Sequence, residues 1–151
     1  MKIHFWHTNL SLFFAALAIV AYHYLAVHAL LPSFIPLADF LLIALATMRL
    51  VRLFTYDAIT SFIREWFYGA KEKSLMEAFG TLINCPWCMG LWFSLVVLFF
   101  YFLSPISWYA ILVLALASVA SMLQLLANLI GWSAEAKKRE AQGPQGTILP
   151  R

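Results

Sequence analysis

The sequence predicts an all-α integral membrane protein: a four-helix bundle with an interfacial amphipathic helical hairpin between its second and third spans. Three observations predict it. The chain is 64% hydrophobic and 11% charged, whereas a soluble domain carries about 25% charged residues, so this pool cannot make a water-exposed surface. Four apolar segments approach the roughly 20 residues a helix needs to cross a bilayer. Basic residues are confined to alternate connections, as the positive-inside rule requires. The 17% aromatic content agrees, because many of these side chains fall near predicted helix ends, where amphipathic rings favour the interface.

The first span covers about 10–31. The second opens after Pro36 and covers about 37–56, with Arg49 and Arg52 in its last part. The third covers about 89–103, extended through Trp87, and the fourth covers about 108–130. Residues 1–132 form a membrane domain and 133–151 a polar cytoplasmic tail. The turns at 31–36 and 104–107 hold no Lys or Arg and face outward. Arg49, Arg52, Arg64, Lys71 and Lys73, and the tail residues Lys137, Lys138, Arg139 and Arg151, belong in the cytoplasm, which puts both termini there. The net charge of +3 reads as orientation and contact with anionic lipids, with no signal for nucleic acid. Lys2, an apolar run and Ala16-Leu17-Ala18 imitate a secretory signal, but the run continues to Leu31 and is long enough to span.

The stretch 57–84 is too polar to span. Ile59, Phe62, Ile63, Trp66 and Phe67 recur at helical period, with Asp57 as cap and Gly69 as stop. The stripe lies either in the cytoplasmic headgroup layer or against the bundle. Ser74-Leu75-Met76-Glu77 is a capping box that opens a second short helix closed by Gly80. Lys71-Glu72-Lys73 is the solvated link.

Cys85-Pro86-Trp87-Cys88 contains both cysteines of the chain. Pro86 suits the first turn of a helix, so Cys85 falls at or beside the N-cap and Cys88 one turn on. Unsatisfied amides and the dipole at such a position lower a thiol pKa. Three readings stand together. In the structural one, Pro86 and Gly90 shape a tight helix entry while Trp87 and Trp92 anchor it at the interface. In the metal one, the pair is half a tetrahedral zinc site, completed by His4 and His7 or by a second subunit. In the third, the pair is a dithiol redox site in a reducing compartment.

Arginines at membrane depth are costly unless paired or snorkelled. Arg49 and Arg52, followed by Tyr56, therefore form either a polar cluster with Asp57, Cys85, Cys88, Ser121, Gln124 and Asn128 or a contact for lipid phosphates. On the outer side His23, His28 and Asp39 read as interface solvation, with His28 and Asp39 able to meet. Ala115, Ala117, Ser118, Ala120 and Ser121 read as close-packing positions. The tail from Ser133 reads as a short helical extension and a flexible end with Gly143-Pro144 and Gly146. No nucleophile–base pair, phosphate-cradling glycine loop or carboxylate dyad is present, so the reading leans away from an enzyme.

Met48-Arg49-Leu50-Val51-Arg52-Leu53, then Asp57 and Arg64, then Cys85-Pro86-Trp87-Cys88-Met89-Gly90-Leu91-Trp92 resemble a family of small bacterial membrane proteins with a domain of unknown function. That family includes the YjcA-type sporulation proteins, and the resemblance covers roughly 40–131. It implies a bacterial inner-membrane protein and supplies no reaction or ligand. The expected role is an accessory or scaffold subunit, as a homo-oligomer or part of a membrane assembly, with the cysteine turn as organising site. A metal- or redox-responsive protein and a small transporter or holin-like pore are the alternatives. The spans' few acids and the absence of a visible inverted repeat speak against the last.

Overall fold

The computed structural model of the chain describes residues 2–67 and 75–142, except the side chains of Lys2, Ile3, His4, Arg64, Phe67, Leu75 and Gln142. Gly69, the link 71–73, Ser74 and the chain end from 143 lie outside the described residues. Among those described, every regular element is helical: α1 (Lys2–Val27), α2 (Leu37–Thr55), a 3-10 turn (Ala58–Thr60), α3 (Ser61–Phe67), α4 (Leu75–Asn84), α5 (Pro86–Leu103) and α6 (Pro105–Gln142). Three stretches are long and apolar enough to cross a membrane: Phe5–Val27, Pro86–Leu103 and Pro105–Ala141. The expected second span is a helix of 19 residues. However, it carries Asp39, Arg49 and Arg52, so length and composition alone do not make it a span.

The chain divides into two units, 1–118 and 119–151. An antiparallel pair, α2 and α5, forms the centre of the first. Asp39 near the start of α2 meets Tyr101 near the end of α5, and Phe54 near the end of α2 meets Phe93, ring centroids 5.0 Å apart. Ile43, Ala46, Val97 and Ile111 make the buried cluster, with Leu42, Leu50, Tyr101 and Leu114 against it. α1 runs parallel to α5, with Phe14 5.1 Å from Trp92 and Tyr24 6.1 Å from Phe99. Ile111, Ala115 and Ser118 are buried at i, i+4 and i+7, one stripe of a helix. Ala46, Ala78, Ala115 and Ser118 are the most deeply buried residues. Small side chains there let helix backbones approach closely, the packing expected where lipid removes the hydrophobic drive between helices. Ala120, expected among the packing positions, is exposed.

The ends of the helices explain several departures from the sequence reading. α1 stops at Val27 rather than near Leu31. The amide of Leu30 donates to the carbonyl of Leu25 (2.9 Å) and that of Ala29 to Ala26 (3.1 Å), a Schellman closure. Ala29 holds the left-handed position with φ 52°, where glycine is usual. α4 passes through Gly80 to Asn84. The Thr81 hydroxyl donates back to Glu77 and the Asn84 amide back to Gly80, and Pro86 forces the stop by pushing the residue before it out of the helical region. Asp57 precedes the 3-10 turn without a side-chain capping bond, because its carboxylate is engaged elsewhere. The amphipathic stripe begins in that turn: Ile59, Phe62 and Trp66 are 73%, 64% and 78% exposed.

In the second unit the helix is mostly apolar up to Trp132, with Leu123, Leu126, Leu129, Ile130 and Trp132 exposed and Ser121, Gln124 and Asn128 as its polar positions, and polar thereafter. Arg139 pairs with Glu135 one turn back at 3.5 Å.

Candidate functional site

The cysteine turn is built from a single residue between two helices. Cys85 separates Asn84 of α4 from Pro86 of α5 and is the N-cap of α5, with φ −100° and ψ 103°. Its amide donates to Leu82 at 3.1 Å and its carbonyl accepts from Met89 at 3.0 Å. The Cys85 sulfur accepts the Cys88 amide at 3.4 Å, so sulfur fills the place an N-cap oxygen usually takes. Pro86 at N1 lacks an amide that would otherwise need a partner. Both cysteines are free; Cys85 is half-buried and Cys88 exposed. The neighbouring Cys88 thiol, followed by the Cys88 amide, holds Cys85 below the usual thiol range. Trp87 is 88% exposed. Gly90, expected to permit a tight entry, has room for a side chain: an added Cβ would lie 3.9 Å from Val51 Cγ2, an ordinary contact.

Four helices converge at this end. The Thr55 hydroxyl, at the end of α2, donates to the carbonyl of Ile83 in α4 at 3.4 Å. His7, Leu10, Ser11 and Phe14 of α1, Leu82 of α4, and Cys88, Leu91 and Trp92 of α5 line a cavity of about 300 Å³. His7 and Cys88, grouped from the sequence, thus share one cavity wall; His4 has its side chain outside the described residues. Among the described residues, no three of His, Cys, Asp and Glu converge to hold a metal ion.

The arginines of α2 are treated differently. Arg49 Nη2 lies 3.1 Å from Asp57 Oδ2, both side chains about a quarter exposed. Arg52 Nε is buried without a hydrogen-bond partner among the described residues. The carbonyl of Arg52 accepts the amides of Tyr56 and Asp57 at 2.9 and 3.1 Å, turning the chain back towards Arg49. The buried Thr60 hydroxyl bonds the carbonyls of Leu53 and Asp57, fixing that turn. Tyr56 is exposed. Gln124 and Asn128 lie in the second unit, where the Gln124 amide donates to Asn128 Oδ1 at 3.1 Å.

One constellation was not visible from the sequence. Asp39 Oδ2 accepts the Tyr101 hydroxyl at 2.7 Å and Oδ1 accepts Trp108 Nε1 at 3.4 Å. This replaces the expected contact of Asp39 with His28, whose ring instead lies 4.5 Å from that of Tyr24. The available signal was depth: Asp39 opens α2, Tyr101 closes α5 and Trp108 opens α6, so all three sit at one level.

Two relatives come from Bacillus subtilis (strain 168). The chain is 35% identical over 97 residues to the UPF0713 protein YngL, covering 56% of this chain and 75% of that one. It is 29% identical over 104 residues to the sporulation protein YjcA, covering 58% and 88%. No solved structure matches significantly. The model of a family described as a protein of unknown function, DUF1360, matches residues 42–74 and 68–127, a region holding Arg49, Arg52, Asp57 and the whole cysteine turn, and the chain belongs to that family.

Proposed function

We propose that this chain is an accessory or scaffold protein of the bacterial cytoplasmic membrane, organised at its cytoplasmic side by the Cys85-Pro86-Trp87-Cys88 turn. In this reading α1, α2, α5 and α6 are four spans, both termini face the cytoplasm, and 57–84 lies along the inner headgroup layer. The observation that carries it is the junction at Cys85. One residue links α4 to α5 with its amide, carbonyl and sulfur all engaged, and α1 and α2 pack at the same end. The Arg49–Asp57 pair supports α2 as a span, since pairing offsets the cost of a charge at membrane depth. The exposed Ile59, Phe62 and Trp66 support an interfacial segment. Arg52 and its basic neighbours suit anionic headgroups. The many exposed apolar side chains of α1 and α6 suit lipid, a second copy or a partner subunit.

Replacing both cysteines with Ser tests the organising role: abundance should fall and the assembly in detergent should become heterogeneous. Unchanged abundance and assembly would overturn it. Phosphatase fusions test the topology, with activity expected after Ser33 and Ser104 and none at the chain end. A thiol-redox role is the second reading, favoured by the hydrogen bond from Cys88 that lowers Cys85. A dithiol potential near the cytosolic poise would support it.

A further inference from the structure

We propose that Cys85 and Cys88 form a two-sulfur site for a soft monovalent metal ion of the Cu(I) class. The inference rests on the reading of this turn as the organising site and names what the turn binds. Three observations lead to it. The first is position: the Cys88 amide lies 3.4 Å from Cys85 Sγ, so both cysteines belong to the first turn of α5, and neither is held in a disulfide.

The second is ligand number. A structural zinc ion takes four ligands, and a catalytic one three and a water. Among the described residues no three of His, Cys, Asp and Glu come together, so those residues offer zinc half a shell. Soft thiolates select Cu(I), and that ion is satisfied by two of them in a near-linear arrangement. The third is the surroundings. The Cys88 side of the turn opens on the cavity of about 300 Å³ whose wall is Leu10, Phe14, Leu82, Leu91 and Trp92, with His7 and Ser11 as its polar members. That wall is largely apolar, while Cys88 itself is exposed and so open to a donor of the ion.

The chemistry balances without electron transfer. The Cu–S bond to a cytosolic thiol carrier breaks as two S–Cu bonds to the cysteines form. Of the two protons the cysteine thiols give up, one passes to the carrier sulfur and one to solvent, and copper stays Cu(I) throughout.

The test is a Cu(I) titration of the full chain in detergent micelles, without oxygen, against the chromophoric competitor bicinchoninate. One Cu(I) per chain is expected. The affinity should fall by roughly tenfold or more in Cys85→Ser and in Cys88→Ser. Wild-type protein blocked with N-ethylmaleimide should lose the ion as well, which keeps the test valid if a variant folds poorly. Retention of Cu(I) by the blocked protein, or no binding by the wild type, overturns the site. Zinc bound at one per two chains in preference to Cu(I) overturns it in favour of a four-thiolate bridge between copies. Abundance and assembly, measured on the same preparations, separate the two proposals. A double Ser protein that assembles normally but binds no Cu(I) keeps the metal site and removes the organising role, and the reverse pattern removes the metal site alone.

Discussion

The two ends of the α2–α5 pair both place charge on α2, and they handle it in opposite ways. At one end the Asp39 carboxylate takes a hydroxyl from α5 and an indole N–H from α6, so each oxygen has a donor and three helices are tied at one point. At the other end Asp57 pairs with Arg49, Arg52 Nε has no partner among the described residues, and two thiols are free. A satisfied polar network at low dielectric rigidifies what it joins, whereas a part-satisfied one carries a standing cost. The Asp39 end is therefore built for holding, and the cysteine end has capacity left for a ligand.

The largest expected effect breaks the closed end. Asp39→Ala removes both acceptors and leaves Tyr101 and Trp108 without their partner. Hydrogen bonds to a charged group contribute about 1.5–3 kcal/mol each, so a loss of roughly 3 kcal/mol is expected, read as a fall in the thermal unfolding midpoint in detergent. Tyr101→Phe should cost about half as much, and the double variant less than the sum, because the two residues share one bond. A midpoint unmoved in Asp39→Ala would mean that this end holds nothing and that the contrast is false.

A smaller effect sharpens the open end by separating its two arginines. Arg49→Met removes the ion pair with Asp57 and should cost on the order of 1–3 kcal/mol. Arg52→Met removes a nitrogen that is buried without a partner and keeps most of the side-chain volume, so stability should stay within about 0.5 kcal/mol or rise. Co-purification of anionic lipid should show the reverse order, falling in Arg52→Met more than in Arg49→Met. Equal stability losses in both variants would mean that the pair acts as one unit and that no capacity is left over.

These contrasts mark what a linear reading can reach. The helices of α1, α5 and α6 follow from runs of apolar residues, and Pro86 announces the start of α5, whereas α6 opens at Pro105, inside the stretch 104–107 that reads as a turn. Arg49, Asp57, Cys85, Cys88 and His7 stand out because charge and sulfur are rare in so apolar a chain. Which of them meet is another matter. Asp57 was legible as a cap because short acids often cap helices locally, but the ion pair with Arg49 draws its carboxylate away from the cap. Asp39 had His28 as the obvious neighbour across a turn, yet Tyr101 lies 62 positions away in sequence and reaches it through packing. Gly80 looked like a stop because glycine weakens a helix, by about 1 kcal/mol, but Pro86 ends α4 more firmly. Local chemistry is written in neighbours; long-range partners depend on the register of helices, which composition does not encode.

The smallest effect concerns the thiols and asks whether the open end is also chemically primed. Cys85 is lowered chiefly by the Cys88 thiol and then by the Cys88 amide, with burial opposing them and the Trp87 amide adding least. Thiolate is the reactive form, so the alkylation rate at Cys85 should rise with pH through a midpoint below that of the same thiol in the unfolded chain and level off above it. Cys88→Ala removes the leading cause and leaves the amides, so the midpoint should move up part of the way. The linkage has a definite sign. Folded Cys85 releases its proton more readily than the unfolded chain does, so its contribution to stability is fully present above the unfolded thiol value and is lost as pH falls through the folded one. Iodoacetamide labelling read by peptide mass spectrometry follows both cysteines in one experiment. A Cys85 midpoint at or above the unfolded value, or one indifferent to Cys88→Ala, would show that the two sulfurs do not act on each other, and the cysteine end would then differ from the Asp39 end only in charge.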